Sequence, residues 1–261
     1  VGLAQRCCDY VFNCVAVMPA QLSMADSTIH SSRRWSWLDL SVASAIAVAV
    51  AVLLLPAIYQ SHIQSQILAC QNNLKDIAYS AFDYSDKHGG YYPAMQPGDR
   101  LNTVGMWGPV LKDNGYLPVA NTEVCPSSSL ADEDGFSIPR VSSLRHLSQA
   151  EYEALAARLG GSYAIGLGQI QNGEYKPQKH TNRNFPVMAD RPGPGGTNSL
   201  NHGGRSQNVL YDQGNIRQLS STTAGGDRNI YTNDNGEIAP SSNPTDAVLA
   251  PSEVHIVWPS P

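Results

Sequence analysis

The sequence predicts an α+β protein in which one long helix comes first and a small antiparallel sheet with long loops follows. Three observations predict it. Leu40–Ile58 is an uncharged apolar run broken only by Pro56, and Arg33 and Arg34 precede it. Beyond that run Ile63, Ile67, Cys70, Leu74, Ile77, Ala81 and Tyr84 recur at alternating steps of four and three, the signature of one helix face. The remainder is rich in Gly, Pro, Asn and Ser and falls into short apolar pieces, as strands and loops do.

Each element follows from its own residues. A helix rising about 1.5 Å per residue makes the apolar run long enough for a hydrocarbon core of about 30 Å. By the positive-inside bias Arg33 and Arg34 hold the N-terminus in the cytoplasm. The expected organisation is therefore a cytoplasmic leader (1–34), a transmembrane helix (35–58) and an extracytoplasmic domain (59–261), single-pass in the inner (cytoplasmic) membrane with lipid as partner. Residues 1–23 have no clear periodicity, and Met18 or Met24 is a natural start. They are expected to be a dispensable leader or a gene-model artefact and are set aside.

The helix continues past Pro56, the place for any bend, because proline lacks an amide donor. His88-Gly89-Gly90 stops it. Trp107–Asn114 reads as a short helix closed by Gly115. Ser148-Gln149-Ala150-Glu151 is a capping box that opens a helix ending at Gly160-Gly161. Ser162–Ile170 and Asn184–Ala189 read as strands. Gln207–Leu219 reads as a hairpin turning at Asp212-Gln213-Gly214-Asn215.

Net charge is −5, and the acidic excess lies beyond Tyr59, which excludes the basic face of a nucleic-acid binder. No G-x-S-x-G elbow, H-E-x-x-H helix, Walker loop or C-x-x-C occurs, so the chain is expected not to be an enzyme. Cys70 and Cys125 form an even pair outside the membrane. They are expected to form one disulfide, with two buried free thiols as the alternative. Asp227, Asn229, Asp234 and Glu237 crowd a segment around Gly236. They are calcium candidates by their hard oxygens, but the EF-hand spacing is absent and Asn/Asp/Gly clusters are turn chemistry first. No other metal or cofactor is expected. His180 and His255 have no ligand spacing, and His202-Gly203-Gly204 reads as a loop former. Tyr91, Tyr92 and Trp107 read as core or seam packing rather than a glycan-binding patch.

Taken in order, these pieces resemble the type IV pilin-like family, and specifically the pseudopilin-like proteins of planctomycete bacteria. Arg33-Arg34-Trp35-Ser36-Trp37-Leu38-Asp39-Leu40 aligns with the family's start, and Leu53-Leu54-Leu55-Pro56 with the end of its apolar segment. Cys70-Gln71-Asn72-Asn73-Leu74-Lys75, His88-Gly89, Tyr92-Pro93, Cys125-Pro126-Ser127 and Ser162-Tyr163-Ala164 follow. Met188-Ala189-Asp190-Arg191 and His202-Gly203-Gly204 with Asn208-Val209-Leu210-Tyr211 complete the order. In the family a prepilin peptidase cuts after a glycine and the new N-terminus is methylated. That glycine is Arg34 here, and Trp35 stands where the first mature residue is usually phenylalanine. The family's glutamate, which can meet the free amine of a neighbouring subunit, is Asp39. The Asp-Gly-His usual at the final hairpin turn reads Gln213-Gly214-Asn215, with Asp212 displaced by one and Gly214 supplying the turn.

The resemblance implies a pilin-like fold and a non-catalytic subunit of a type II secretion-like or type IV pilus-like assembly. Asp39 and Pro56 would serve assembly, other pilin-like subunits would be the partners, and a prepilin peptidase would act at Arg34. The alternative is a static, uncleaved, membrane-anchored binding protein that keeps the fold and has lost processing.

Overall fold

The computed structural model describes residues 36–94, 99–117, 121–224 and 228–256. Arg34, Trp35 and Asp227 lie outside the described residues. The chain divides into two units, Val1–Leu54 and Leu55–Pro261.

Helix α1, Trp37–Lys87, runs through both. Its first turn is closed by side chains: Ser36 Oγ accepts the Leu38 N–H, and Asp39 Oδ2 accepts the Ser36 N–H at 3.2 Å. This is capping-box chemistry, and an acidic group there also suits the positive end of the helix dipole. Pro56 lies inside α1, which is continuous through it. The apolar half is exposed all round, from Trp37 at 87 % to Tyr59 at 66 %. Its most apolar window has no buried residue, and the helix is long and apolar enough to cross a membrane. The second half is one-sided. Ile67, Cys70, Leu74, Ile77, Ala78, Ala81 and Tyr84 are buried, whereas Leu68, Lys75 and Tyr79 face outward.

Among the described residues three short α-helices follow: α2 (Trp107–Asp113), α3 (Val141–Leu144) and α4 (Gln149–Ala156). The expected capping box is formed: Ser148 Oγ accepts the Glu151 N–H at 3.3 Å and Glu151 Oε2 accepts the Ser148 N–H at 2.8 Å. Strands are β1 (Tyr163–Gly166), β2 (Gln169–Gln171), β3 (Glu174–Lys176), β4 (Pro186–Asp190), β5 (Gln207–Tyr211), β6 (Ile216–Leu219) and β7 (Leu249–Ala250). They make an antiparallel sheet ordered β6-β5-β4-β1-β7 and a separate β2-β3 hairpin. This is the α+β arrangement the sequence predicts. The single strand expected over Ser162–Ile170 is instead two, β1 and β2, belonging to different sheets. The chain leaves the first sheet at Leu167-Gly168, where Leu167 N–H reaches Val248 O.

Alternation along the strands divides the core. Tyr163, Ile165, Met188 and Leu210 pack with the buried stripe of α1 and with Trp107, while Ala164, Ala189, Val209 and Tyr211 pack with Ile230, Tyr231 and Leu249. A third cluster, Leu101, Met106, Leu144, Tyr152 and Leu159, seats α3 and α4. Tyr92 and Trp107 are core residues, and of the three aromatics considered together only Tyr91 is exposed.

Candidate functional site

The C-terminal half of α1 crosses the end of the main sheet where β4 finishes, and there four chemically reactive side chains meet. Cys70 comes from the buried stripe of α1. Cys125 comes from the loop after α2, where its carbonyl accepts both the N–H and the hydroxyl of Ser128. Asp190 is the last residue of β4, paired in register with Tyr163. His202 ends a single 3₁₀ turn, Leu200–His202, that leads towards β5. Gly203 and Gly204 follow at φ +66° and +72°, a left-handed pair that lets the chain reverse directly after the imidazole. The loop-forming role expected of His202-Gly203-Gly204 is therefore present, and the histidine side chain does more.

One ligand-type atom from each of Cys70, Cys125, Asp190 and His202 lies within 4.8 Å of every other. Cys70 Sγ donates to Asp190 Oδ1 at 2.8 Å, and its sulfur is 3.4 Å from the Tyr163 hydroxyl. His202 Nε2 is 3.0 Å from Asp190 Oδ2 and 3.9 Å from Cys125 Sγ. The surroundings hold these groups in place. Ser127 Oγ meets His202 Nδ1 at 3.2 Å, and Asp190 Oδ2 accepts the Asn208 N–H at 2.6 Å. Asn208 Nδ2 sits 3.1 Å from His202 Nε2, and Gln71 Nε2 donates to Asn208 Oδ1 at 2.9 Å.

All four side chains are almost wholly removed from solvent. Burial pushes the Cys70 thiol well above its ordinary value, with its contact to Cys125 and the Asp190 charge adding to the effect. Its contact with the Cys70 thiol lowers the Cys125 thiol to about 6, against the opposing effect of burial and with help from His202 and Ser127. Burial opposes the charged form of His202, yet hydrogen bonds to Asp190 and Cys125 raise it to about 9. Two thiols, one carboxylate and one imidazole here form a closed set able to share a proton or hold one cation.

Cys70 and Cys125, expected to be joined, are free thiols in this structure. Each sulfur has polar partners besides the other: Asp190 and Tyr163 for Cys70, Ser127 and His202 for Cys125. In the sequence Asp190 stands out only within Met188-Ala189-Asp190-Arg191, and His202 only as a loop former and within the family-like His202-Gly203-Gly204 match. No local spacing links four side chains drawn from a helix, two loops and a strand end.

A second polar centre surrounds Asp212. It accepts from Tyr92 Oη at 2.5 Å, Thr181 N at 2.7 Å, Thr181 Oγ1 at 2.9 Å and Arg183 N at 3.1 Å, and His180 Nδ1 is 2.8 Å away. Phe82 of α1 stacks on His180 with ring centroids 4.6 Å apart. This centre fastens the loop before β4 to the β5–β6 turn. Gly214 there has φ +83°, and its N–H reaches Tyr211 O at 2.7 Å.

The remaining residues singled out in the sequence stand apart from both centres. Asp39 and Pro56 lie on the exposed half of α1. Among the calcium candidates, Asn229 donates to Gly196 O and accepts from Tyr231 N, and Asp234 is held by Arg228 and Asn243. Glu237 is exposed, with its N–H on Asn233 Oδ1, which is turn chemistry. His255 is engaged by Asn102 and Glu153. No protein-family model, curated protein or solved structure matches this chain.

Proposed function

We propose that the chain is a non-catalytic, membrane-anchored, pilin-like (pseudopilin) subunit of a type II secretion-like or type IV pilus-like assembly. Its N-terminus lies in the cytoplasm and its domain beyond the membrane. The observation that carries this reading is the two-part character of α1. One continuous helix is apolar and exposed over its first half, then one-sided and buried against an antiparallel sheet over its second. The first half suits storage in lipid and packing against the helices of other such subunits. Arg33-Arg34 before it sets the direction of insertion. The non-catalytic part of the reading is supported by the closure of the Cys–Asp–His cluster, whose buried sulfurs present no face to a substrate.

The second reading, a static uncleaved anchor with an outward binding domain, is favoured by two observations. Arg34 stands where a prepilin peptidase needs a glycine. Asp39 already accepts the Ser36 N–H and so has a capping role that needs no neighbour's amine. Peptide mass spectrometry of the N-terminus of protein taken from native membranes separates the two. A chain beginning at Trp35, methylated there, is expected of an assembled subunit. A chain retaining Arg33-Arg34 leaves no amine for Asp39 and contradicts the filament reading.

A further inference from the structure

We propose that Cys70, Cys125, Asp190 and His202 are the four ligands of a closed, tetrahedral structural site for a divalent transition metal of the zinc class. Such a site would form whether the chain is cleaved and assembled or not. Ligand atoms about 2.0–2.3 Å from a common ion, at tetrahedral angles, are roughly 3.3–3.8 Å from each other. The four atoms here lie within 4.8 Å of one another, so a small inward adjustment of side chains suffices. The donor set decides the metal. Two sulfurs and one imidazole nitrogen with a single carboxylate suit zinc and its soft or borderline neighbours, not calcium or magnesium, which take oxygen ligands.

The groups behind these four side chains orient them as ligands of a metal are oriented. Ser127 Oγ at 3.2 Å occupies His202 Nδ1 and leaves Nε2 turned inward. The Asn208 N–H holds Asp190 Oδ2 at 2.6 Å, leaving Oδ1 beside the Cys70 sulfur. Binding forms two metal–sulfur bonds and one metal–nitrogen bond and releases two protons to solvent, the one Cys70 donates to Asp190 and the one that His202 and Cys125 share between them. The Nε2 lone pair turns to the ion.

The competing accounts explain less. A Cys70–Cys125 disulfide would satisfy the sulfurs but would give no reason for Asp190 and His202 to be buried beside them. A cysteine nucleophile paired with His202 would need an approach for substrate, and these side chains have none. Four protein ligands with no open position define a structural rather than a catalytic site. Its effect is to clamp α1 onto the end of β4, together with the loop after α2 and the turn before β5.

The test uses the full-length chain, purified in detergent under reducing conditions without chelator. Elemental analysis is expected to find one zinc per chain. Exchange with Co²⁺ is expected to produce thiolate-to-cobalt charge-transfer absorption and the strong visible bands of a tetrahedral ion. Ser127→Ala, which keeps every ligand, is expected to weaken binding about 10–100-fold. Cys125→Ser and His202→Gln should each lose stoichiometric metal. Circular dichroism reports whether these variants fold, and the cobalt spectrum of the unsubstituted chain keeps the test decisive if they do not. Three results would each overturn the proposal. These are a reduced chain that takes up neither Zn²⁺ nor Co²⁺, a Cys70–Cys125 disulfide in protein from native membranes, and unchanged metal content in folded Cys125→Ser and His202→Gln variants.

Discussion

Asp212 is expected to be the most sensitive single position outside the Cys–Asp–His cluster. Its side chain is 1 % exposed, and it accepts from Tyr92, His180, Thr181 twice and Arg183. Asp212→Ala strands two backbone N–H groups and a buried phenol. A buried donor left without an acceptor costs about 1–3 kcal/mol, so a total loss of about 3–5 kcal/mol is expected, the range seen when a buried charged partner is removed. Asp212→Asn keeps the volume and one acceptor but turns the other oxygen into a donor, and should lose about 1–3 kcal/mol. Burial alone would raise this carboxyl, but the hydrogen bonds from Tyr92, Arg183, His180 and Thr181 outweigh it and hold the group below its ordinary value. A depressed carboxyl contributes stability that is fully present above its unfolded value of about 3.9 and is lost as pH falls through its lower folded value. The gap between the unsubstituted chain and Asp212→Asn should therefore be flat from neutral pH down to about 5 and close below about 4. Urea unfolding in detergent, followed by tryptophan fluorescence with buried Trp107 as reporter, measures both effects. An Asp212→Ala variant within about 0.5 kcal/mol of the unsubstituted chain would refute the reasoning.

Two further outcomes follow from the same structure. Val48→Lys puts a charge in the middle of the exposed apolar half of α1, at about 2.5–3.5 kcal/mol for a lysine at a membrane-helix centre. Alkaline carbonate should leave the unsubstituted chain in the membrane and extract the variant, with the domain's unfolding midpoint unchanged. Gly203→Ala meets no atom within 4 Å, so its cost is the left-handed backbone alone. A loss of about 1–3 kcal/mol in urea unfolding is expected, whereas no loss would mean the turn after His202 can relax.

Much of this architecture can be read from the residues because the physical causes are local. The three-and-four stripe from Ile67 to Tyr84 is the buried face of α1, and Ser148 with Glu151 caps α4 as their spacing requires. The β5–β6 hairpin also lies where alternation places it. The β2–β3 hairpin is harder to see, because its strands are three residues long and mostly polar, so no periodicity marks them. Its signal was Asn172-Gly173, both at positive φ. Strand β7 is two residues, Leu249 and Ala250, and exists only because β1 offers it an edge. The Cys–Asp–His cluster is illegible for a different reason. Cys70 is read as part of an apolar stripe and Asp190 only within Met188-Ala189-Asp190-Arg191, and only the crossing of α1 over β4 makes them neighbours. Cysteine count alone points to a pair and says nothing of the carboxylate and the imidazole that share their pocket.

The most direct test of the membrane orientation is protease accessibility in sealed membrane vesicles of known sidedness. In right-side-out vesicles the protein beyond Tyr59 is expected to be digested, leaving a small protected fragment that carries the α1 apolar half and the N-terminus. Protection of the whole domain in right-side-out vesicles, with digestion in inverted ones, would place it on the cytoplasmic side and contradict the proposed topology.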